Sequence, residues 1–347
     1  MNARIYPPSV TTIRRLATVL KKGGLVAVPT ETVYGLAANA LDATACEGIF
    51  QAKGRPSTDP LIVHVSTLSA VGEIAELNPA ARALAKAFWP GPLTLVLKKK
   101  EIVPDVVTSG LDSVAVRVPR HRVFRELLRV SGLPLAAPSA NPFGYISPTT
   151  ADHVRQSLGD RIEHILDGGP CGVGVESTIV DVRSPERPRV LRPGAITTAQ
   201  IAEVLGVPVS LHRSRSTPGK TKRKGKKAAG AQRSPGLLER HYSPRTRVRL
   251  VNAIIPGDVL AAGRRVAYLF FSCPADPRLA ALGPRVAWLS TSGDAAEAAR
   301  SLYSQLRALD GGGYREIVVE RVPDQPALAA ITDRLARAAA GRANRKR

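Results

Sequence analysis

The residues of this chain that can do chemistry fall in short clusters. They are Pro29-Thr30-Glu31-Thr32-Val33-Tyr34-Gly35-Leu36, Lys53-Gly54-Arg55-Pro56, Pro60-Leu61-Ile62-Val63-His64, Arg117-Val118-Pro119-Arg120-His121, Pro138-Ser139-Ala140-Asn141 with Ser147, Glu176-Ser177-Thr178, and Leu191-Arg192-Pro193-Gly194. Cations (Lys53, Arg55, Arg117, Arg192) and hydroxyls (Thr32, Ser139, Ser147, Ser177) dominate, and carboxylates are few. Arginine offers a planar fork of donors suited to phosphate or carboxylate oxygens, and lysine a point charge. Hydroxyls and loop amides complete an anion cradle. This inventory reads as a site for a polyanion such as a nucleotide. The same residue types also serve as surface arginines and turn formers, so both readings stand at this level.

Better-known arrangements are absent. Gly219 and Gly225-Lys226-Lys227 have five residues between the glycines and no Ser or Thr after the lysine, so they make no P-loop. The glycines of 168–174 do not spell G-x-G-x-x-G, and no serine sits in a G-x-S-x-G elbow. Six histidines without paired spacing and three scattered cysteines (Cys46, Cys171, Cys273) build neither a zinc site nor a disulfide framework. On residue type alone, His64 and Cys171 read first as buried structural residues.

The clusters need elements to position them. Apolar runs at 25–28, 61–65, 93–97, 114–118, 135–137 and 179–182 predict strands, with the polar clusters just after them. In open α/β sheets such strand ends line the ligand crevice. Helical patterns fall near 43–51, 79–88, 122–130 and 150–158. Ser9 precedes another, with Ile13, Leu16, Ala17 and Leu20 on one face and Gly23-Gly24 at its end. Strands mixed with helices but not in strict alternation predict one α/β domain over 1–205 around a twisted, mixed sheet.

From 206 to 247 the composition turns to Lys, Arg, Ser, Gly and Pro, which predicts a basic linker. Beyond it, 266–271, 286–289 and 317–320 read as strands. Asp294 caps a helix whose buried face carries Leu302, Leu306 and Leu309, Gly311–Gly313 ends it, and 326–340 reads as an Ala-rich helix. The order β-β-α-β-α predicts a small Rossmann-like α/β domain over 248–340, followed by a basic tail at 341–347. No motif in it is chemically legible, so a structural or lid-supporting role is expected of it.

The chain has 347 residues and a formal charge of +22. So strong an excess suggests nucleic acid or an acidic surface, but its distribution argues otherwise. Residues 211–250 carry +12, residues 334–347 carry +6, and everything else only +4. Such runs are ordinarily solvated chain. Aromatic residues make up 4%, too few for the stacking faces of a single-strand RNA module. No apolar run approaches the ~20 residues needed to cross a bilayer, and no signal peptide is legible, so a cytoplasmic location is expected.

Taken in order, the clusters resemble the YrdC-like domain of threonylcarbamoyl-AMP synthases, from PTETVYGL at 29–36 through KGRP, PLIVHV, FWPGPLTLVL, VAVRVPRH, APSAN and ESTIVDV to LRPGAI ending at 196. SPGLLERHYSP at 234–244 is similar to the loop of the longer, two-domain branch. The resemblance implies an ATP-dependent synthesis. L-threonine and bicarbonate or CO2 form a carbamate, which attacks the α-phosphorus of ATP to give threonylcarbamoyl-AMP and pyrophosphate. Separate transfer proteins then modify an adenosine beside the anticodon of tRNA; direct tRNA contact by this chain is allowed but not required.

By the same resemblance, Thr32, His64, Arg117, Ala137 and Ser177 hold threonine, with Arg117 on its carboxylate. Lys53, Arg55, Asp59, Ser113, Ser139, Ser147 and Arg192 surround ATP, and Tyr242 reaches back over the nucleotide. Mg2+ is expected with ATP, held mainly by phosphate oxygens and water. No catalytic side chain is implied, because the substrate carbamate is the nucleophile. The basic stretch 217–233 would steer ATP or pyrophosphate, touch tRNA or an acidic partner, or be solvated. Two other classes stay in view: a non-catalytic RNA-binding or ribosome-associated module, and a carbamoyl-transfer maturation enzyme. The cysteines needed for the zinc-finger region of the latter are missing.

Overall fold

The computed structural model describes residues 3–212, 232 and 241–340. The basic stretch 217–233, apart from Gln232, and the tail 341–347 lie outside the described residues. Two sheets organise the rest. The first contains β1 (Arg4–Tyr6), β2 (Val26–Val28), β3 (Gly35–Asn39), β4 (Ile62–His64), β5 (Leu93–Lys98), β6 (Ser113–Arg117), β7 (Leu135–Ala136), β8 (His164–Leu166), β9 (Thr178–Asp181), β10 (Arg189–Arg192) and β11 (Ser210–Leu211). Their order across the sheet is β1-β8-β2-β3-β7-β4-β6-β5-β9-β10-β11. The sheet is mixed, as expected: β4 and β6 are parallel, as are β5 and β9, and β10 and β11, whereas β3 and β7 run antiparallel to both neighbours and β10 runs antiparallel to β9.

Helices cover both faces. Helix Val10–Lys21 buries Ile13, Leu16, Ala17 and Leu20, begins where Ser9 accepts the Thr12 amide, and packs beside Arg122–Ser131 over β2, β3 and β7. Ala43–Lys53, Pro79–Phe88, Ala151–Leu158 and Thr198–Leu205 cover the other face, around a core that includes Leu36, Val63, Leu95 and Val116. The last of these helices was not anticipated, although its Thr197/Gln200 capping box is written in the sequence. Asn78 caps Pro79–Phe88 by accepting the Ala81 amide, and its Nδ2 donates to Val182 O at 2.7 Å, tying the helix to the end of β9.

The second sheet is parallel throughout, in the order β12-β15-β13-β14, with β12 Arg247–Val251, β13 Val266–Ser272, β14 Val286–Ser290 and β15 Glu316–Glu320. The expected β-β-α-β-α order is corrected here. β12 comes first, and its alternating arginines, exposed on an edge strand, hid it among linker residues. Short helices Pro256–Ala261 and Pro277–Ala280 also intervene. Asp294 caps Ala295–Gly311, whose Leu302, Leu306 and Leu309 are buried as expected. The two domains share apolar packing: Val33, Ile146 and Val175 of the first join Tyr242, Leu302, Tyr303 and Leu335 in one cluster.

Asn78→Ala removes both a helix cap and a tether to Val182. It should lower stability by about 1–2 kcal/mol in a denaturant titration, whereas the exposed Val10→Ala should change little.

Candidate active site

The mixed topology brings strand ends of both polarities to one place. β4 and β6 end in register at His64 and Arg117. The segment after β7 carries on in the same antiparallel register, so the Ala137 amide donates to Ile62 O and Ser139 bridges to Gly35 at the start of β3. Glu176 and Ser177 precede β9, which corrects the expectation that every polar cluster follows its strand. β9 is parallel to β5, β5 is antiparallel to β6, and so the start of β9 meets the end of β6. Arg192 closes β10, antiparallel to β9.

These ends enclose a cavity of roughly 500 Å3, its mouth included, within the range of small-ligand sites. Of the residues expected to bind ligand, Thr32, Arg55, His64, Arg117, Ala137, Ser139, Ser177, Arg192 and Tyr242 line it. Lys53, Asp59 and Ser147 stand behind the lining. Ser113 is not brought to the cavity: it opens β6, four residues before Arg117, which at about 3.3 Å per residue leaves them roughly 13 Å apart.

The cations are buried and engaged. Lys53 ends helix Ala43–Lys53, and its ammonium donates to Ser139 O and Asn141 O, fixing the 138–141 loop. Burial and neighbouring Arg55 hold its pKa well below the ordinary lysine value. Arg55 donates Nε to Asp59 O at 2.9 Å and Nη2 to Pro60 O at 2.7 Å, and pairs with the Asp59 carboxylate at 3.0 Å. Arg117 faces Glu31 at 2.7 Å and donates Nη1 to Thr32 Oγ1 at 3.0 Å and Nε to Gly91 O at 3.1 Å. Arg192 wraps Ser177, donating to its carbonyl and its hydroxyl at 3.1–3.2 Å, while Thr94 and Ser177 share a hydroxyl bond of 2.7 Å.

Sequence reasoning passed over Glu31, Glu176 and His241. Burial pushes the carboxyl pKa of Glu31 up, but Arg117 overrides it and holds it below the usual value. Burial likewise opposes ionisation of Glu176, and Arg334, Arg192 and bonds from Ser147 and Tyr303 keep it ionised. The signal for both was their place inside the polar clusters, where a lone carboxylate among buried cations is a counter-ion. His241 lines the cavity, with its pKa well below 6.5 through burial and the surrounding cations, led by Arg55. Cys171 is a spectator, its thiol pushed up to about 12 by burial.

Tyr242 is buried with a left-handed φ of 59° and stacks on Tyr303 of the second domain at 5.8 Å between ring centroids. Gly194 allows the closest approach in the site. A Cβ there would lie 2.3 Å from Thr178 N and 2.6 Å from the Ser177 carbonyl carbon.

His64 has its pKa lowered to about 3, by burial first and then by Arg117, so its imidazole is neutral at physiological pH. The unfolded chain takes up a proton near pH 6.5 that the folded chain refuses, so stability falls as pH drops from 6.5 toward 3. His64→Gln should flatten that slope by up to one proton in pH-dependent denaturation. Gly194→Ala should displace the 176–178 backbone and weaken ligand binding by about tenfold or more, read by calorimetry.

A family model described as telomere recombination (Sua5, YciO, YrdC) matches residues 18–194, and one described as threonylcarbamoyl-AMP synthase, C-terminal domain, matches 196–340. A threonylcarbamoyl-AMP synthase of Pyrococcus abyssi is 40% identical over 94% of this chain and 93% of its own length. A putative threonylcarbamoyl-AMP synthase of Mycobacterium tuberculosis is 42% identical over 54% of this chain and 86% of its own length. The crystal structure of P. abyssi Sua5 complexed with L-threonine superposes with a TM-score of 0.85 at 37% identity, covering 98% of both chains.

Proposed function

The chain belongs to the threonylcarbamoyl-AMP synthase family, and on that premise we propose that its cavity joins L-threonine, bicarbonate or CO2, and ATP into threonylcarbamoyl-AMP and pyrophosphate. The product serves threonylcarbamoyladenosine modification of tRNA next to the anticodon, through separate transfer proteins in the cytoplasm. The observation that carries this reading is the convergence of Arg55, Arg117 and Arg192, from three separate segments, on one buried cavity.

The chemistry asks for positioning and charge stabilisation. The threonine amine adds to the carbon of CO2 and loses a proton to give the carbamate; from bicarbonate, that proton leaves with the bicarbonate hydroxyl as water. A carbamate oxygen then bonds to the α-phosphorus as the bond to the pyrophosphate oxygen breaks. In this proposal the threonine carboxylate meets Arg117, whose Nε and one N–H of Nη1 are committed and whose Nη2 faces Glu31 at 2.7 Å, leaving further N–H donors of the fork for a ligand. Neutral His64 and Thr32 meet the side-chain hydroxyl, and Ser177 and Ala137 complete that end. Arg55, Ser139 and Arg192 face the phosphates, backed by Lys53, Asp59 and Ser147, and Tyr242 covers the nucleotide. Among the described residues no group of three or more His, Cys, Asp or Glu side chains is placed to hold a metal. The carboxylates nearest the cavity are already paired with arginines. In this proposal Mg2+ enters as part of the MgATP substrate.

We also propose the division 1–205 for the catalytic domain, 206–247 for the basic linker, 248–340 for the second domain and 341–347 for the tail. No helix among the described residues is long and apolar enough to cross a membrane.

Protein incubated with MgATP, bicarbonate and L-threonine should release pyrophosphate and yield a threonylcarbamoyl-AMP mass. Pyrophosphate that is absent or indifferent to threonine overturns the proposal. Arg117→Ala should raise KM for threonine about tenfold or more, and Arg55→Ala should do the same for ATP. The two constants rising equally in both variants would reject these assignments.

A further inference from the structure

The second domain sends two buried polar side chains to the wall of the cavity. Arg334, on helix Ala329–Ala339, is fully buried and donates Nε to Glu176 Oε2 at 3.1 Å. Its Nη1 donates to Pro193 O at 2.8 Å and to Asp333 Oδ2 at 3.0 Å. Tyr303, on helix Ala295–Gly311, donates its hydroxyl to the same Glu176 Oε2 at 2.8 Å. The other oxygen of Glu176 accepts Ser147 Oγ of the first domain at 2.6 Å. One carboxylate thus takes its donors from both domains, one domain on each oxygen.

The same two residues seat Tyr242. The Arg334 guanidinium lies 5.2 Å from the Tyr242 ring centroid, and Tyr303 stacks on it with an interplanar angle of 26°. A left-handed backbone at a tyrosine persists only where its surroundings enforce it, and these contacts do so from the second domain. Pro193, whose carbonyl Arg334 holds, lies between Arg192 of the cavity and Gly194, the point of closest approach to Ser177. Arg334 does not line the cavity, whereas Glu176, Arg192 and Tyr242 do.

We infer that Arg334 is a positioning residue for the nucleotide side of the site, acting through Glu176, the 192–194 turn and Tyr242, so that the second domain completes the site. A purely structural contact would be met more cheaply by apolar packing, since burying an ion pair costs both charges their water. The M. tuberculosis relative, matched over 86% of its length by about half this chain, leaves little room for a counterpart of that domain. Dependence on Arg334 is therefore a property of the two-domain arrangement. The inference rests on the proposed placement of ATP beneath Tyr242.

The test compares Arg334→Met, Arg334→Lys, Glu176→Gln and the double variant Arg334→Met/Glu176→Gln in the full-length chain, reading Tm and the separate KM values for ATP and threonine. Arg334→Met should raise KM for ATP by about tenfold with a change of less than about threefold for threonine, and Arg334→Lys should recover part of the loss. Arg334→Met leaves a buried carboxylate unbalanced and can fail to fold. The double variant removes that charge and should recover Tm while keeping the raised KM for ATP. An unchanged KM for ATP in the folded variants overturns the inference. So do KM values for both substrates that rise together and return with Tm in the double variant, which would make Arg334 an interface residue only. Wild-type protein that forms no threonylcarbamoyl-AMP would instead overturn the functional reading beneath it.

Discussion

A site for a polyanion must keep cations out of water before the anion arrives, and this constraint shapes the whole structure. An unpaired buried charge costs several kcal/mol, so each arginine has its own acceptors: Asp59 for Arg55, Glu31 for Arg117, the Ser177 carbonyl and hydroxyl for Arg192, and Glu176 for Arg334. The acceptors are short or rigidly held and the arginine forks are only partly used. The cations are oriented for a ligand without being neutralised on it. A cavity built this way gains its selectivity from where the remaining N–H groups point.

That arrangement explains why the sheet is mixed. An all-parallel sheet would offer only C-terminal strand ends to the site. Antiparallel β5 lets the start of β9 share an edge with the ends of β6 and β10, so Ser177 meets Arg192 and Thr94 within hydrogen-bond distance. The close approach of Gly194 to the Ser177 backbone is the geometric cost of bringing so many ends together.

Much of this was legible in residue order, and the failures have physical causes. Largely apolar runs, as in β5 and β6, announced buried strands, because strands covered on both faces carry few polar residues, here Thr94 within β5 and charged or hydroxyl residues at the strand ends. Gly35–Asn39 escaped because small residues at the tail of a polar cluster carry no strand pattern, and Arg247–Val251 because an exposed edge strand alternates with charge. Cations of the site were readable through ordered motifs. Their counter-ions were not, since pairing Glu176 with Arg334 depends on chain 158 residues away. Nothing local marks Tyr303 as anything but a core aromatic.

Arg334 also alters the meaning of the net charge. Counted by position, it belongs to a basic run at the end of the chain, and such runs ordinarily lie in solvent. Among the described residues it is the largest fully buried side chain, bonded to Glu176, Pro193 and Asp333. Helix periodicity separates it from its neighbours. On Ala329–Ala339, Ile331, Arg334, Leu335 and Ala338 share the buried face, so Arg334 occupies a position where the pattern asks for an apolar residue. A cation on the apolar stripe of an amphipathic helix must find an acceptor wherever that stripe packs, and here it packs against the catalytic domain. Net charge counts such a residue among solvated ones. Reading it against the helix period marks it instead as a residue that reaches another domain.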